Sequence, residues 1–111
     1  MNAVAMTRRV EIAVDHPAFA GHFPNQPVLP GVSLVAEVLE AARAQPRLAA
    51  CVGEAPRLPV LKFLAPVRPG ATLDIEFTLG TRMLDWRVAE GDRLVASGQI
   101  ARADIAPASS P

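Results

Sequence analysis

The sequence has little of what several classes of protein require. It contains one cysteine, Cys51, so no disulfide can form within the chain. Its longest uncharged apolar run is far shorter than a bilayer span. Its eleven basic residues are scattered and are balanced by eleven acidic ones, which gives no electrostatic case for nucleic-acid binding. The first seven residues lack a basic segment before an apolar core, so we expect no signal peptide, no membrane association and a cytoplasmic location.

Length and hydrophobic content indicate one compact unit. A chain of 111 residues is the size of one domain, and half of its residues are hydrophobic, which is enough for a core. We expect a single domain over residues 1–105. Residues 106–111 have nothing to bury, so we expect them to form a flexible C-terminal tail.

Apolar periodicity predicts one helix among about five strands, which is an α+β fold. The helix is expected from about Gly31 to Gln45, before Pro46, and its nearly all-round apolar character predicts that the sheet wraps it. Residues 46–56 are predicted to be a linker of small residues and proline. The predicted antiparallel strands are Arg9–Val14, Leu58–Val67, Thr72–Leu79, Arg82–Ala89 and Arg93–Ala103. A hairpin turn is predicted at residues 90–92.

The edges of so small a sheet need protection, and two explanations stay open. Either an edge pairs with a second copy of the chain, or charges such as Arg82, Asp85 and Arg87 guard it.

The segment from Gly21 to Val32, with the sequence GHFPNQPVLPGV, carries the most informative residues. Its prolines restrict the backbone, so the His22 imidazole can be held in one place. Nine residues later Gly31 opens the helix, where the N–H groups of Gly31 and Val32 lie unpaired at the positive end of the dipole. An imidazole beside such amides suits proton abstraction next to a carbonyl, because the amides stabilise the negative oxygen. The alternative is a rigid loop with a hydrogen-bonded histidine.

This segment resembles the active-site motif of the FabA/FabZ-type beta-hydroxyacyl-[acyl carrier protein] dehydratases. That motif is His-Phe-Pro, two variable residues, then Pro-Val-x-Pro-Gly-Val, and every defined position matches here from His22 to Val32. A second match runs from Leu61 to Gly70, with the sequence LKFLAPVRPG, and resembles the family's Lys-Phe-x-x-Pro-Val-x-Pro-Gly. The short chain and the sequence VASGQI at residues 95–100 are most similar to the ApeI-like branch.

The resemblance implies a hot-dog fold, a dimer with shared active sites, and an acyl thioester carried by an acyl carrier protein. His22 is then the catalytic base, the Gly31 N–H binds the thioester oxygen, and the backbone carbonyl of Val28 orients the imidazole. No metal and no other cofactor is required. The remaining residues expected to contact the substrate are Phe23, Val32 and Phe63.

The chain departs from the family at the second catalytic residue. The family has a Glu or Asp fourteen residues after the histidine, where this chain has Ala36. Glu40 lies one helical turn further on the same face, and we predict that it supplies the acid. Glu37 is rotated by about 100° and is the weaker alternative. The alternative for both glutamates is a solvated helix edge, with Glu40 or Glu37 paired to Arg43 or Arg47.

The implied function is that of a 3-hydroxyacyl-[acyl carrier protein] dehydratase, a hydro-lyase forming trans-2-enoyl thioesters in fatty acid or polyene-type biosynthesis. One alternative is a non-catalytic or partner-dependent subunit that binds acyl thioesters, in a heterodimer rather than a homodimer. Another is a hot-dog thioesterase in which a helix carboxylate activates water. Lys62 and Arg68 are the predicted contacts for an acidic carrier protein. His16 has no acidic or cysteine neighbour at ligand spacing, so we interpret it as a turn histidine.

Overall fold

The computed structural model describes residues 5–20 and 27–105, and within them five strands form one antiparallel sheet around a helical layer. The strands are β1 (Ala5–Glu11), β2 (Val60–Phe63), β3 (Thr72–Leu79), β4 (Met83–Glu90) and β5 (Arg93–Ala101). They lie in the order β1-β3-β4-β5-β2. The helices are a short 3-10 helix (Pro17–Phe19), α1 (Gly31–Arg43) and α2 (Pro46–Val52). The predicted α+β class with about five antiparallel strands is confirmed.

The two central strands follow the alternation that the sequence predicts. Strand β3 has the predicted bounds, and β4 is shifted by one residue. Alternate side chains point to the helical layer and are buried, because successive residues of a strand face opposite sides. These buried residues are Leu73, Ile75, Phe77, Leu84, Trp86 and Val88. Gly91, with a φ of 60°, lies in the predicted turn between β4 and β5, where a left-handed backbone favours glycine.

Helix α1 packs one side against the sheet. Its buried residues are Leu34, Val38, Ala41 and Ala42, which recur at helical spacing. On the opposite side Ala36 and Glu40 are exposed, and Val32 is 78% exposed. The helix ends at Arg43 rather than at the predicted Gln45. The sheet therefore covers one side of the helix within a single chain, and the other side remains accessible.

The prediction of a linker over residues 46–56 was wrong for its first half. Helix α2 begins at Pro46, which occupies the first helical turn, where the missing N–H of proline costs no hydrogen bond. Leu48, Cys51 and Val52 bury one face of this helix in the core. Gly53, with a φ of 70°, ends it. Pro46 thus lies just beyond the end of α1 and also starts α2.

The outer strands differ most from their predicted bounds. Strand β1 pairs with β3 from Ala5 to Glu11, not from Arg9 to Val14, and Val14 is 73% exposed beyond the ladder. Strand β2 covers only Val60–Phe63 of the predicted ten residues. Just after it, two successive amides, of Leu64 and Ala65, donate to the same carbonyl of β5, so the regular ladder stops there. Strand β5 ends at residue 101 rather than at residue 103.

The sheet edges are β1 and β2, so one explanation of edge protection was wrong. Strand β4 lies in the centre of the sheet, and its Asp85 and Arg87, with the neighbouring Arg82, do not guard an edge. Among the described residues, none of the helices is long and apolar enough to cross a membrane. The predicted tail at residues 106–111 lies outside the described part of the chain.

Candidate active site

An apolar cleft of about 460 Å³ opens where the N-terminus of α1 meets the segment that follows β2. The proline-rich segment that enters α1 forms one wall, and the segment after β2 forms the other. A backbone hydrogen bond of 2.8 Å from the Leu29 amide to the Val67 carbonyl ties the two walls together. The lining residues are Val28, Leu29, Gly31, Leu34, Phe63, Leu64, Ala65, Pro66 and Val67. Among the residues that the structure describes, no side chain of this lining carries a charge or titrates.

The N-terminus of α1 supplies the polar groups of the cleft. Pro30 is the N-cap and offers no side-chain acceptor, while its carbonyl accepts from Ser33 and Leu34 at 2.9 and 3.0 Å. The amides of Gly31 and Val32 precede these first intrahelical donors, so the helix itself provides no partner for them. Together with the helix dipole, they favour a negatively charged oxygen at this point.

Phe63 lies directly against the start of α1. A Cβ atom built on Gly31 would lie 2.9 Å from Cζ of Phe63, which is closer than van der Waals contact allows. Glycine at this position therefore lets the aromatic ring approach the helix N-terminus. The ring is half exposed and forms the rim of the cleft.

The structure brings three of the predicted site residues together. Val28, Gly31 and Phe63 line the same cleft, although Phe63 is distant in sequence from the other two. Val32 lies on the exposed side of the helix start and is not part of the lining. His22 and Phe23 lie in residues 21–26, outside the described part of the chain.

Glu40 lies in a different groove. This groove, of about 360 Å³, runs between α1 and β1, and its lining includes Glu37, Glu40, Arg8 and Arg9. Arg9 is paired with Asp74 across the β1–β3 ladder, with Nε to Oδ1 at 2.9 Å. Within one chain Glu40 thus faces the β1 side of the helix rather than the apolar cleft.

Glu37 pairs with His16, not with an arginine. The distance from His16 Nε2 to Glu37 Oε2 is 3.1 Å, and Arg43 instead donates to the Gly53 carbonyl at 3.2 Å. The prediction that His16 is a turn histidine is confirmed, because it caps the 3-10 helix. The sequence shows no acidic neighbour of His16 at ligand spacing, and tertiary packing supplies Glu37 as a hydrogen-bond partner. Sequence reasoning missed the contact because 21 residues separate the partners.

Shifted pKa values occur away from the cleft. Burial raises the pKa of the Cys51 thiol, and the nearby Asp104 carboxylate raises it further. The pKa of Asp104 is lowered, chiefly because Arg102 donates hydrogen bonds to it. Among the described residues, no group of three or more His, Cys, Asp or Glu side chains could hold a metal ion.

Comparison with known proteins assigns the family. The ApeI dehydratase family model (ApeI-like) matches residues 2–99. The 3-hydroxyacyl-[acyl-carrier-protein] dehydratase FabZ of Rhodopseudomonas palustris (strain HaA2) is 32% identical over 101 residues, covering 85% of this chain and 66% of that enzyme. The chain thus spans just under two thirds of that relative's length.

Solved structures agree on the fold. The chain is similar to one from the dehydratase heterocomplex ApeI:P of Xenorhabdus doucetiae, with a TM-score of 0.69, 23% identity, and coverage of 91% of this chain and 97% of that one. A protein of uncharacterised function from Erwinia carotovora subsp. atroseptica has a TM-score of 0.67 and 29% identity, with coverage of 87% and 81%. The predicted hot-dog fold is confirmed, and since the family model spans most of its sequence, the chain belongs to the ApeI-like dehydratase family.

Proposed function

We propose that the chain is a 3-hydroxyacyl-thioester dehydratase that acts on acyl chains carried by an acyl carrier protein. The observation that carries the proposal is the apolar cleft, which is lined by Gly31 and formed in part by the second half of the motif that begins at His22. An apolar cleft suits an acyl chain, and an unpaired amide at a helix N-terminus suits the thioester oxygen. The reaction removes water from a 3-hydroxyacyl thioester and leaves a trans-2-enoyl thioester.

The proposed mechanism assigns proton transfer to His22. Its imidazole removes a proton from Cα, and the electron pair passes to the thioester oxygen, where the Gly31 N–H stabilises the negative charge. The pair then returns to form the Cα–Cβ double bond as the Cβ hydroxyl leaves. Protonation of that hydroxyl releases water. The backbone carbonyl of Val28, in the cleft wall, is the proposed acceptor that orients the imidazole.

The proton for the leaving hydroxyl is the unusual part of this site. Ala36 occupies the position of the family's acid, and its side chain has no proton to give. We propose Glu40 as the replacement, acting across a subunit interface because it faces away from the cleft of its own chain. The alternatives are that His22 returns the proton it removed, or that a different partner chain supplies the acid.

A dimer would cover an otherwise exposed apolar edge. Along β2 and just after it, Val60, Leu61, Phe63 and Leu64 are between 36% and 55% exposed. An unpaired edge strand with apolar side chains is a site for pairing with another chain, and we propose that a second copy pairs there. A heterodimer remains the alternative, and it is favoured by the missing acid at Ala36. Such a subunit would bind acyl thioesters but act only with its partner.

The proposed substrate implies a contact surface for the acyl carrier protein and a cytoplasmic location for the reaction. Lys62 and Arg68 are both exposed and flank the wall of the cleft, so we propose that they contact the acidic carrier protein. A reaction on carrier-bound acyl chains would take place in the cytoplasm. A thioesterase would need a carboxylate to activate water. The residues from His22 to Val32 match the dehydratase motif at every defined position, and this match favours the dehydratase over the thioesterase.

An assay of the purified chain tests the proposal. The chain is incubated with 3-hydroxybutyryl and longer 3-hydroxyacyl thioesters on an acyl carrier protein, and with crotonyl thioester for the reverse hydration. Formation of the enoyl thioester supports the proposal. Release of free thiol would instead indicate a thioesterase. Activity that appears only after addition of a hot-dog chain bearing the family's acid would assign a partner-dependent subunit.

A further inference from the structure

The His16–Glu37 pair links two parts of the chain that are distant in sequence. His16 begins the 3-10 helix, and Glu37 lies on α1, 21 residues later. The two side chains are 22% and 21% exposed, so water is largely kept from the contact between Nε2 and Oε2 at 3.1 Å. Bonds of this kind are stronger when partly desolvated.

The second ring nitrogen of His16 is also occupied. The Ala18 amide donates to Nδ1 at 3.0 Å, so Nδ1 holds a lone pair and the ring proton resides on Nε2. Nε2 therefore donates to the Glu37 carboxylate. An edge contact with Phe19, with centroids 6.0 Å apart and an interplanar angle of 74°, further fixes the ring. With both nitrogens engaged, this imidazole is suited to holding structure rather than to transferring protons.

In the sequence, the two members of the pair lie on either side of the proposed site residues. Residues 17–36, between its two members, include His22 and Gly31. On one side, the 3-10 helix ends at Phe19, and the amide of its C-cap Ala20, two residues before His22, donates to the Pro17 carbonyl. On the other side, α1 presents the Gly31 amide. The rate of proton abstraction depends steeply on how a base and an oxyanion donor are placed relative to each other.

We infer that His16 and Glu37 are positioning residues. Their hydrogen bond holds the backbone just before the His22 segment against α1, and this sets the position of the His22 base relative to the Gly31 amide. The inference rests on the proposed function of His22. Neither residue touches the substrate. The pair acts by holding two backbone segments together, so its loss lowers kcat while KM, set by the apolar cleft, changes little.

Four substitutions distinguish the contributions of the two hydrogen bonds that the His16 imidazole makes, to the Ala18 amide and to Glu37. His16→Asn retains an acceptor for the Ala18 amide, as a good N-cap residue does, but cannot reach Glu37. His16→Gln retains a donor toward Glu37 and loses the cap. Glu37→Ala removes the acceptor, whereas Glu37→Gln retains a neutral one. Glu54→Ala is the matched control, since Glu54 is an exposed carboxylate in the turn after α2.

We expect His16→Asn and Glu37→Ala to lower kcat about tenfold to a hundredfold. The double variant should be no slower than either single variant, because both remove the same contact. His16→Gln and Glu37→Gln should retain most of the activity. A kcat for Glu37→Ala equal to that of the Glu54→Ala control would overturn the inference.

A spectroscopic measurement decides the inference even if the chain alone turns out inactive. The chain has two histidines, so ¹⁵N-histidine NMR gives two sets of ring signals, assigned with His16→Asn. We expect the wild-type His16 ring to be protonated at Nε2, and the His22 signals to shift or broaden in Glu37→Ala but not in Glu54→Ala. Inactivity of the wild type with these NMR changes would contradict the proposed function alone. The positioning role would be refuted if His16 were protonated at Nδ1. It would also be refuted if the His22 signals were the same in Glu37→Ala as in the wild type.

Discussion

Gly31 and Phe63 meet at the mouth of the cleft so closely that a methyl group on Gly31 would lie 2.9 Å from the tip of the ring. The two residues belong to different motifs of the sequence, one opening α1 and the other closing β2. Their contact brings the two walls of the cleft together beside the amide that we propose as the oxyanion donor. The absence of a side chain at residue 31 thus allows the ring to approach the helix N-terminus closely.

Gly31→Ala should therefore displace the Phe63 ring. Because that ring is half exposed, it can move outward, and we expect the free energy of unfolding to fall by no more than about 1 kcal/mol. The shape of the cleft mouth should change more than the stability, so KM for acyl thioesters should rise. Urea unfolding and steady-state kinetics measure the two effects.

Phe63→Leu provides the matching test of that contact. The double variant Gly31→Ala/Phe63→Leu should be less impaired in KM than the sum of the two single changes predicts, since the smaller side chain leaves room for the methyl group. Strict additivity of the two effects would show that the ring does not meet residue 31.

The missing acid can be tested by restoring it. Ala36→Glu should raise the rate of dehydration, because it places a carboxyl group where we propose that the family has its acid, on an exposed helix face. Glu40→Gln should lower the rate more than Glu37→Gln, which keeps an acceptor for His16. If none of the three substitutions changes the rate of an active enzyme, no carboxyl group of α1 takes part and His22 acts alone.

The β2 edge can be tested through its oligomeric state. We expect the wild-type chain to be a dimer by light scattering, and Leu61→Arg, on the edge strand, to give monomers because it places a charge in the apolar interface. Val14→Arg is the control, since Val14 is also an exposed apolar residue but lies outside the ladder of β2. This edge would be ruled out as the interface if the wild type were monomeric, or if Leu61→Arg remained a dimer.

The Arg102–Asp104 pair predicts a pH dependence of stability. Because the pKa of Asp104 is lowered in the folded chain, the unfolded chain takes up its proton at a higher pH. The stabilisation is complete above the ordinary value of 3.8 and is lost as the pH falls through the lower folded value. Asp104→Asn should reduce the free energy of unfolding at pH 7 by up to about 1 kcal/mol, and the difference should be smaller in urea curves at pH 2. An equal difference at both pH values would contradict this assignment.

Sequence patterns predicted the centre of the fold better than its margins. Strand β3 alternates cleanly and was predicted without error, whereas β1 carries Arg8 at an inward register position opposite Ile75. Arg8 can occupy that position because it lines the groove beside α1 instead of entering the core. The sequence does not predict α2 because Pro46 indicates the end of a helix, although proline is equally suited to the first turn of the next helix.

The sequence predicts the site residues that belong to the two motifs, but not the contacts between them. The resemblance identified both walls of the cleft, but no spacing in the sequence shows that Phe63 touches Gly31. The contact between His16 and Glu37 likewise depends on how the 3-10 helix lies against α1. Such contacts are set by tertiary packing, which local periodicity does not encode.

The most direct test of the account is the rate at which wild type and His22→Ala convert a 3-hydroxyacyl thioester to the enoyl thioester. Loss of a general base lowers a rate by about 10²–10⁴, and a loop imidazole contributes little to the core, so the variant should be folded by circular dichroism and nearly inactive. If a partner chain is required, the same comparison is made in the reconstituted complex. A folded His22→Ala variant that retains the wild-type rate would contradict the proposed mechanism.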